Sequence, residues 1–404
     1  EEIGYPVLIK AVHGGGGKGI QVVENGAEFH ELFQRVTVEA RAAFGNGDVY
    51  LEKYVTSLRH IEAQLLRDGL GNTRVLGIRD CSVQRDKQKV IEESGSTTLP
   101  SHLLESVIAH TAAIADEVGY IGAGTVEFIY DLKSDAVYFM EMNTRLQVEH
   151  PVTELVSGVD IVAEQFNIAG GGSIEHLDIA QDGYAIEARV NAEQIARQSD
   201  GSLAFRPSAG AITVCELPEE EGIDVISMAG EDKFVSPYYD SMIAQIIVHG
   251  SDRRDAASKL EAYLARVRIE GIHTTIALLR RILTDDVFLD GVYDTGYLPA
   301  MLDRIDADTL IAEIEQAAGV QDSAIGSDTI RIEGSDELRV LAPATGIFYS
   351  TPSPSDPDYV VVGDKVGVDD TICQMEAFKI FTPMRLADFN AGGEELYAST
   401  SSYE

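Results

Sequence analysis

Between Glu141 and Glu149 the chain reads EMNTRLQVE, an unbroken alternation of side-chain type. Glu141, Asn143, Arg145, Gln147 and Glu149 share one parity; Met142, Thr144, Leu146 and Val148 share the other. Successive side chains of an extended strand point to opposite faces, so one face would collect two carboxylates, a guanidinium and two amides. At about 3.4 Å per residue a straight strand would hold its ends roughly 27 Å apart, too far for one small site. The chain is therefore expected to curl after Asn143, and Pro151, which cannot continue a central strand, supports the break. Arg145, Gln147 and Glu149 would then face a pocket beside the one that Glu141 and Asn143 serve. There the Arg145 guanidinium suits a planar oxyanion and Glu149 suits a general base. An ordinary Arg–Glu surface pair is the plainer alternative.

The preceding segment, GTVEFIYDLKSDAVYFMEMN, reads as a hairpin. A turn centred on Ser134 would set Glu127 directly opposite Glu141, within about 5 Å at Cβ. Two bare carboxylates there would repel by roughly 3 kcal/mol at an effective dielectric of about 20. A divalent cation removes that conflict, and Asn143 supplies a third oxygen on the same face. All-oxygen ligands suit magnesium, which bridges to substrate phosphates. The alternative is a pair of glutamates on a solvated sheet face.

Upstream, YPVLIKAV and IQVV read as two strands joined by HGGGGKG. Consecutive glycines leave backbone amides uncovered, so such a loop can approach a phosphate closely. Lys10 and Lys18 add positive charge. The loop lacks the G-x-x-x-x-G-K-[ST] of a P-loop and does not lead into a helix as a dinucleotide fingerprint does. A flexible hairpin connection is the competing reading.

Further along, 26–43 reads as a helix, 48–55 as a strand, and HIEAQLLRDGLGNTRVLGIRD as a hairpin turning at 68–72. HLLESVIAHTAAIADEVGY and RRDAASKLEAYLARVRI carry apolar residues at helical spacing. From Ala300 to about Asp336 the chain turns acidic and reads as a helical piece running into a linker. From Leu338 short β-like runs alternate with turns rich in Pro, Gly and Asp. The charge balance, 67 Asp and Glu against 31 Lys and Arg, repels phosphate backbones and argues against a nucleic-acid partner; it also fits a salt-rich setting. No run of 18 apolar residues exists, so no membrane span is expected. The 3 cysteines, Cys81, Cys215 and Cys373, are widely spaced, which fits a reduced, cytoplasmic protein.

Taken in order, these motifs resemble the biotin carboxylase component of biotin-dependent carboxylases over nearly the whole chain. IGYPVLIKAVHGGGGKGI is similar to that family's ATP-grasp lysine strand and glycine loop, LEKYV to its adenine-binding strand, and RDCSVQRDKQKVIEE to its R-D-C-S-x-Q-R-R-x-Q-K-V segment. EMNTRLQVEHPVTE matches its most specific motif without departure, and IEARVNAE and SPYYDSMIAQII resemble segments of its C-terminal domain. The last stretch, from APATG to MEAFK, resembles a biotin carboxyl carrier domain up to the biotinylated lysine, here Lys379; Phe378 and Ile380 stand where methionines are usual. TPSPSDPDY resembles the thumb of acetyl-CoA carboxylase-type carriers.

The resemblance implies an α+β chain: a partial ATP-grasp domain (1–181), a biotin carboxylase C-terminal domain (182–302), an acidic linker (303–336) and a truncated all-β biotinyl/lipoyl-type flattened barrel (337–404). It implies that Lys10, Gly16, Gly17 and His60 touch ATP phosphates, that Glu52, Lys53, Tyr54 and Val55 hold adenine and ribose, and that Gln84 serves the same site. Glu127, Glu141 and Asn143 would bind magnesium or manganese. Lys89, Arg145, Gln147 and Val148 would position bicarbonate, Glu149 would deprotonate it, and Arg189 would stabilise the biotin enolate. Asp86 and Lys87 depart from the family, standing where Arg and His are common.

By the same resemblance the sequence is a piece of a longer chain, without the family's N-terminal domain and the end of the carrier. Biotin on Lys379 would shuttle carboxyl groups to a carboxyltransferase, after attachment by a biotin protein ligase; a homodimer through the biotin carboxylase part is implied as well. The short spacing between GYLPAML and VLAPATG favours an acetyl-CoA carboxylase-like organisation, with another acyl-CoA, pyruvate or a urea-like amide as alternative acceptors. The rivals are a non-catalytic carrier or assembly subunit with a degenerate ATP site, and an ATP-grasp ligase that needs no biotin.

Overall fold

The computed structural model describes residues 3–13, 19–197, 201–319, 329–331, 338–340, 347–352, 357–367, 370–377, 380–385 and 396–397. A three-stranded antiparallel unit comes first, built from β1 (Val7–Ala11), β2 (Ile20–Val23) and β3 (Val49–Lys53) in the order β2-β1-β3. β1 alternates, burying Val7, Ile9 and Ala11. Helix α1 (Phe29–Phe44) covers that face with Phe29, Leu32, Phe33 and Val36, which lie three and four residues apart on one stripe. Gly45 ends the helix at φ 75°, a left-handed position that costs glycine nothing, and its N–H donates to Arg41 O. The expected hairpin is therefore present in its strands. Its connection, with Gly16, Gly17 and Lys18, lies outside the described residues.

The main sheet has eight antiparallel strands. They include β4 (Leu58–Arg67), β5 (Thr73–Arg85), β6 (Gln88–Ser94), β7 (Gly122–Asp131), β8 (Ala136–Asn143) and β9 (Tyr184–Asn191). The spatial order is Ile223–Ser227, Met242–Gly250, β9, β6, β5, β4, β7, β8. On β4 the alternation HIEAQL sorts two faces. Ile61, Ala63 and Leu65 join Val126, Phe128 and Tyr130 of β7 beneath Val107 and Ala115 of α2 (Ser101–Glu117). His60, Glu62 and Gln64 point the other way, where α3 (His150–Ser157) lies against β5, β6 and β9.

Beyond β9 the core is built from Ile186, Ala188, Ile246 and Val248 against Leu260 and Tyr263 of α5 (Arg253–Leu264) and Leu279 and Ile282 of α6 (Ile276–Leu283). One expectation needs correction. The acidic stretch from 303 is not linker at its start: the expected helical piece is the helix Ala307–Ala318, capped by Asp306, which buries Leu310 and Ile314 in this same core and Ala318 beside them. The main sheet runs through the expected boundary at 181/182, since β6 and β9 are paired across it, Glu92 with Glu187.

Near the C-terminus Ile347–Tyr349, Thr371–Ala377 and Ile380–Arg385 form a three-stranded sheet around buried Cys373, Met375 and Met384. Phe378 and Lys379 lie outside the described residues, while Ala377 and Ile380 on either side are register partners. Among the described residues no helix is long and apolar enough to cross a membrane.

Candidate active site

Glu127 and Glu141 are register partners, as the spacing predicts, but by a different route. The innermost pair of the hairpin is Asp131 with Ala136, so the turn centres between Lys133 and Ser134 rather than on Ser134. A bulge then leaves Met140 as an extra residue and brings Glu141 opposite Glu127. Without it Met140 would face Glu127, since a one-residue slip exchanges the two faces.

Asn143 completes the group. Its Nδ2 donates to Glu127 Oε1 at 2.7 Å and to Glu141 Oε1 at 3.4 Å. The amide thus occupies the space between the two carboxylates, and turning it over would present its oxygen there instead. With the amide turned over, the two carboxylates and the amide oxygen would make a donor set that suits magnesium or manganese. Deeper in, His60, Glu62 and Glu127 also converge, within 4.8 Å. That second group is already neutralised by protein cations: Arg79 and Lys89 both bond Glu62.

The curl after Asn143 is present, and it carries Gln147 and Glu149 inward. Glu149 does not pair with Arg145. Its Oε1 bonds the Lys89 ammonium and its Oε2 accepts from Arg189 Nη2 at 3.0 Å. Lys89 also bonds Glu62, Glu62 accepts from Arg79 Nη2 at 3.1 Å, and Arg189 Nε donates to Glu92 at 2.6 Å. The result is a file of alternating charges, Arg79–Glu62–Lys89–Glu149–Arg189–Glu92, drawn from β5, β4, β6, the start of α3 and β9. Burial pushes the Glu62 carboxyl up, but Lys89, Arg79 and His60 outweigh it and hold it at about 2. Burial lowers the Lys89 ammonium, yet the surrounding Cys81, Glu62, Glu149 and Glu127 leave it raised.

Arg145 is exposed; its guanidinium donates to Leu146 O at 3.2 Å and Asn143 Oδ1 at 3.4 Å, and it pairs with no carboxylate among the described residues. Gln147 is buried with both ends of its amide engaged: Oε1 accepts from Arg79 Nη2 at 2.8 Å, and Nε2 donates to Glu127 Oε1 at 2.8 Å. Val148 offers its carbonyl to Gln245 Nε2 at 2.8 Å. His60 stands between Gln84, 2.7 Å from its Nδ1, and Glu127, 3.0 Å from its Nε2. Burial lowers the His60 pKa, and the bond to Glu127 with the charge of Glu62 more than restores it, so it is raised. The same contact, against burial, holds Glu127 at about 2.

The expected nucleotide residues of the first unit make contacts of their own. Lys10 pairs with Glu52 at 3.2 Å, and Lys53 Nζ donates to Gly4 O at 3.1 Å and Tyr5 O at 3.3 Å. Tyr54 N–H donates to Pro6 O at 3.3 Å, and Val55 is half-buried. Among the described residues no hydrogen bond or ion pair joins them to Lys89, Glu127 or Glu149. Asp86 and Lys87 form the tip of the β5–β6 hairpin with φ 51° and 66°, both left-handed.

The sequence reading singled out neither Arg79 nor Glu62, Glu92, Glu187 and Gln245. Glu62 had a signal, the polar parity His60, Glu62, Gln64 on a strand whose other parity is apolar. Arg79 had none, since a lone arginine in a strand looks like a surface residue until both faces prove buried.

Residues 1–177 match the carbamoyl-phosphate synthase L chain, ATP binding domain, and 187–300 match the biotin carboxylase C-terminal domain. Biotin carboxylase 1 of Bacillus subtilis is 46% identical over 74% of this chain and 65% of its own length. The 2-oxoglutarate carboxylase small subunit of Hydrogenobacter thermophilus is 44% identical over 74% of this chain and 62% of its own length. Among solved structures, the biotin carboxylase–β,γ-ATP complex from Campylobacter jejuni is 40% identical with a TM-score of 0.70, covering 74% of this chain and 66% of that one. The biotin carboxylase domain dimer of the Hydrogenobacter thermophilus 2-oxoglutarate carboxylase, solved with MgADP, ADP and bicarbonate, is 44% identical with a TM-score of 0.68, covering 74% of this chain and 65% of that one.

Proposed function

Over 74% of its length this chain is a homologue of biotin carboxylases, and we propose that it catalyses the ATP- and bicarbonate-dependent carboxylation of biotin, the first half-reaction of a biotin-dependent carboxylase. The observation that carries this reading is Glu149 held between Lys89 and Arg189, one cation on each oxygen. A base gripped from both sides is quiet until an anion competes for one of its cations. Bicarbonate arriving between Lys89 and the Arg145 guanidinium, which meets no carboxylate among the described residues, would loosen that grip, and its proton would pass to Glu149. The freed carbonate oxygen would attack the γ-phosphorus of ATP; ADP leaves and carboxyphosphate forms. Carboxyphosphate then breaks its C–O bond to give CO2 and phosphate; the phosphate takes the N1′ proton of biotin, Arg189 steadies the resulting negative ureido oxygen, and N1′ adds to CO2.

Glu127, Glu141 and Asn143 would hold a magnesium or manganese ion, which would offset charge on the terminal phosphates. Lys10, Gly16, Gly17, His60 and Gln84 belong to the nucleotide side of this reading, and Gln147 would act by fixing the 145–149 loop. Lys379 is its biotin attachment point, supported by the β-rich surroundings of MEAFKIF. The reading also includes a homodimer, a separate carboxyltransferase, a biotin protein ligase and a cytoplasmic setting, the last supported by the free cysteines Cys81, Cys215 and Cys373. For the acceptor we favour an acyl-CoA, because the short spacing between GYLPAML and VLAPATG leaves no room for an inserted domain. Relatives named for 2-oxoglutarate and pyruvate carboxylases keep those acceptors in the assay panel.

The test is bicarbonate-dependent ADP release by the full-length protein with free biotin. Release well above a Glu149→Gln control is expected. Release no greater than that control would replace this reading with a carrier or assembly subunit. Mass spectrometry of Lys379 after co-expression with biotin ligase should show the biotin adduct; an unmodified lysine would count for the biotin-independent ligase.

A further inference from the structure

Glu92 and Glu187 are a pair that the proposed chemistry leaves unused. They are register partners on β6 and β9, and both side chains are fully buried. Side chains at such positions come within about 5 Å at Cβ. One oxygen of each is engaged: Glu92 Oε1 accepts from Arg189 Nε at 2.6 Å, and Glu187 Oε1 accepts from Gln245 Nε2 at 2.8 Å. The other oxygen of each, Oε2, is buried without a hydrogen-bond partner. Two ionised carboxylates so placed, with one guanidinium that Glu149 also claims, would leave a buried negative charge uncompensated. A single proton held between them resolves both the charge and the orphaned oxygens.

The pair touches the 145–149 loop from both ends. Through Arg189 it reaches Glu149, and through Gln245 it reaches the Val148 carbonyl. We infer that Glu92 and Glu187 share one proton and act as positioning residues, setting how far Arg189 can lean toward Glu149 and the biotin acceptor. The inference rests on the reading above that Arg189 serves that acceptor. While the proton is present, Arg189 holds both partners, Glu92 Oε1 at 2.6 Å through Nε and Glu149 Oε2 at 3.0 Å through Nη2. When it is lost, the pair gains a second negative charge, draws Arg189 inward, and the biotin-dependent rate falls as pH rises. The charged and titratable groups acting on the pair are Cys81 on β5, Lys89 on β6, Arg189 on β9 and Glu149 at the start of α3; the strand Met242–Gly250 presents Gln245. Burial raises both carboxyls, against the pull of Arg189 on Glu92 and of Arg189 and the Gln245 hydrogen bond on Glu187.

The experiment compares pH profiles of the biotin-dependent kcat for the full-length wild type and Glu187→Gln. The alkaline limb is expected to move up by at least about one pH unit in the variant, with KM for ATP changing less than about twofold. A limb that stays in place overturns the inference. Infrared spectroscopy reads the pair without turnover: a protonated buried carboxyl band in the wild type should vanish in Glu187→Gln. Should that variant not fold, Gln245→Leu removes a hydrogen bond that favours the Glu187 anion, so the band should persist to higher pH. A band indifferent to the substitution overturns the pair. A band that responds in a protein showing no bicarbonate-dependent ADP release upholds the pair and removes the proposed function instead.

Discussion

The Arg79 guanidinium donates to the Gln147 side-chain oxygen at 2.8 Å, tying the middle of the main sheet to the loop that carries Arg145 and Glu149. Arg79 is fully buried and also bonds Glu62, Gln64, Thr125 and Thr153. Removing one partner of a buried ionic network strands the others. Arg79→Met should cost about 3–5 kcal/mol of stability in denaturant titrations. Arg79→Lys should retain part of that stability yet raise KM for bicarbonate, because a point charge cannot hold Glu62 and Gln147 together.

Glu141 is exposed whereas Glu127 is buried, so the two halves of the candidate cation site can be separated. Glu141→Gln should leave stability within about 0.5 kcal/mol. It should weaken magnesium dependence of ADP release about tenfold or more, the loss of a charged ligand. Calorimetric magnesium binding in the presence of ADP checks this; unchanged binding would move the ion elsewhere.

Acid should unfold the protein through the same carboxyls. Glu62 and Glu127 are each held at about 2 against an ordinary 4.5. As pH falls the unfolded chain takes up these protons before the native state does. Stability is therefore complete above about 4.5 and declines as pH drops toward 2, by on the order of 3 kcal/mol per group at most. Urea unfolding between about pH 6 and 3 measures the slope, which Glu127→Gln should flatten.

Asp86 and Lys87 both sit at positive φ, 51° and 66°, the conformation of a two-residue type I′ turn. Aspartate tolerates it, and glycine is preferred at the second position. Lys87→Gly should raise stability by about 1 kcal/mol. If Lys87 serves the turn alone, KM for ATP stays put; a several-fold rise would place its ammonium on a phosphate.

The sequence made the carboxylate pair legible because hairpin symmetry is simple arithmetic. It hid the bulge at Met140, for two errors cancelled: the turn sits half a residue early and the extra residue makes up the difference. The curl after Asn143 followed from strand length and Pro151. The role of Arg79 was illegible, because a single polar residue in a strand says nothing of whether the opposite face is also covered. The helix Ala307–Ala318 was legible as a helical piece, but its acidity assigned it to the linker, although Leu310, Ile314 and Ala318 recur every four residues and lie buried. Net charge drew attention away from that stripe.

The unbroken run of eight strands has a practical corollary for anyone dissecting this protein. A truncation after residue 181 would strip away β9 and the strands Met242–Gly250 and Ile223–Ser227. It would leave β6 as a raw border, its amides and carbonyls open to the next molecule in solution. Such a piece should clump rather than behave as a miniature enzyme, whereas a cut placed beyond 319 spares every rung of that ladder.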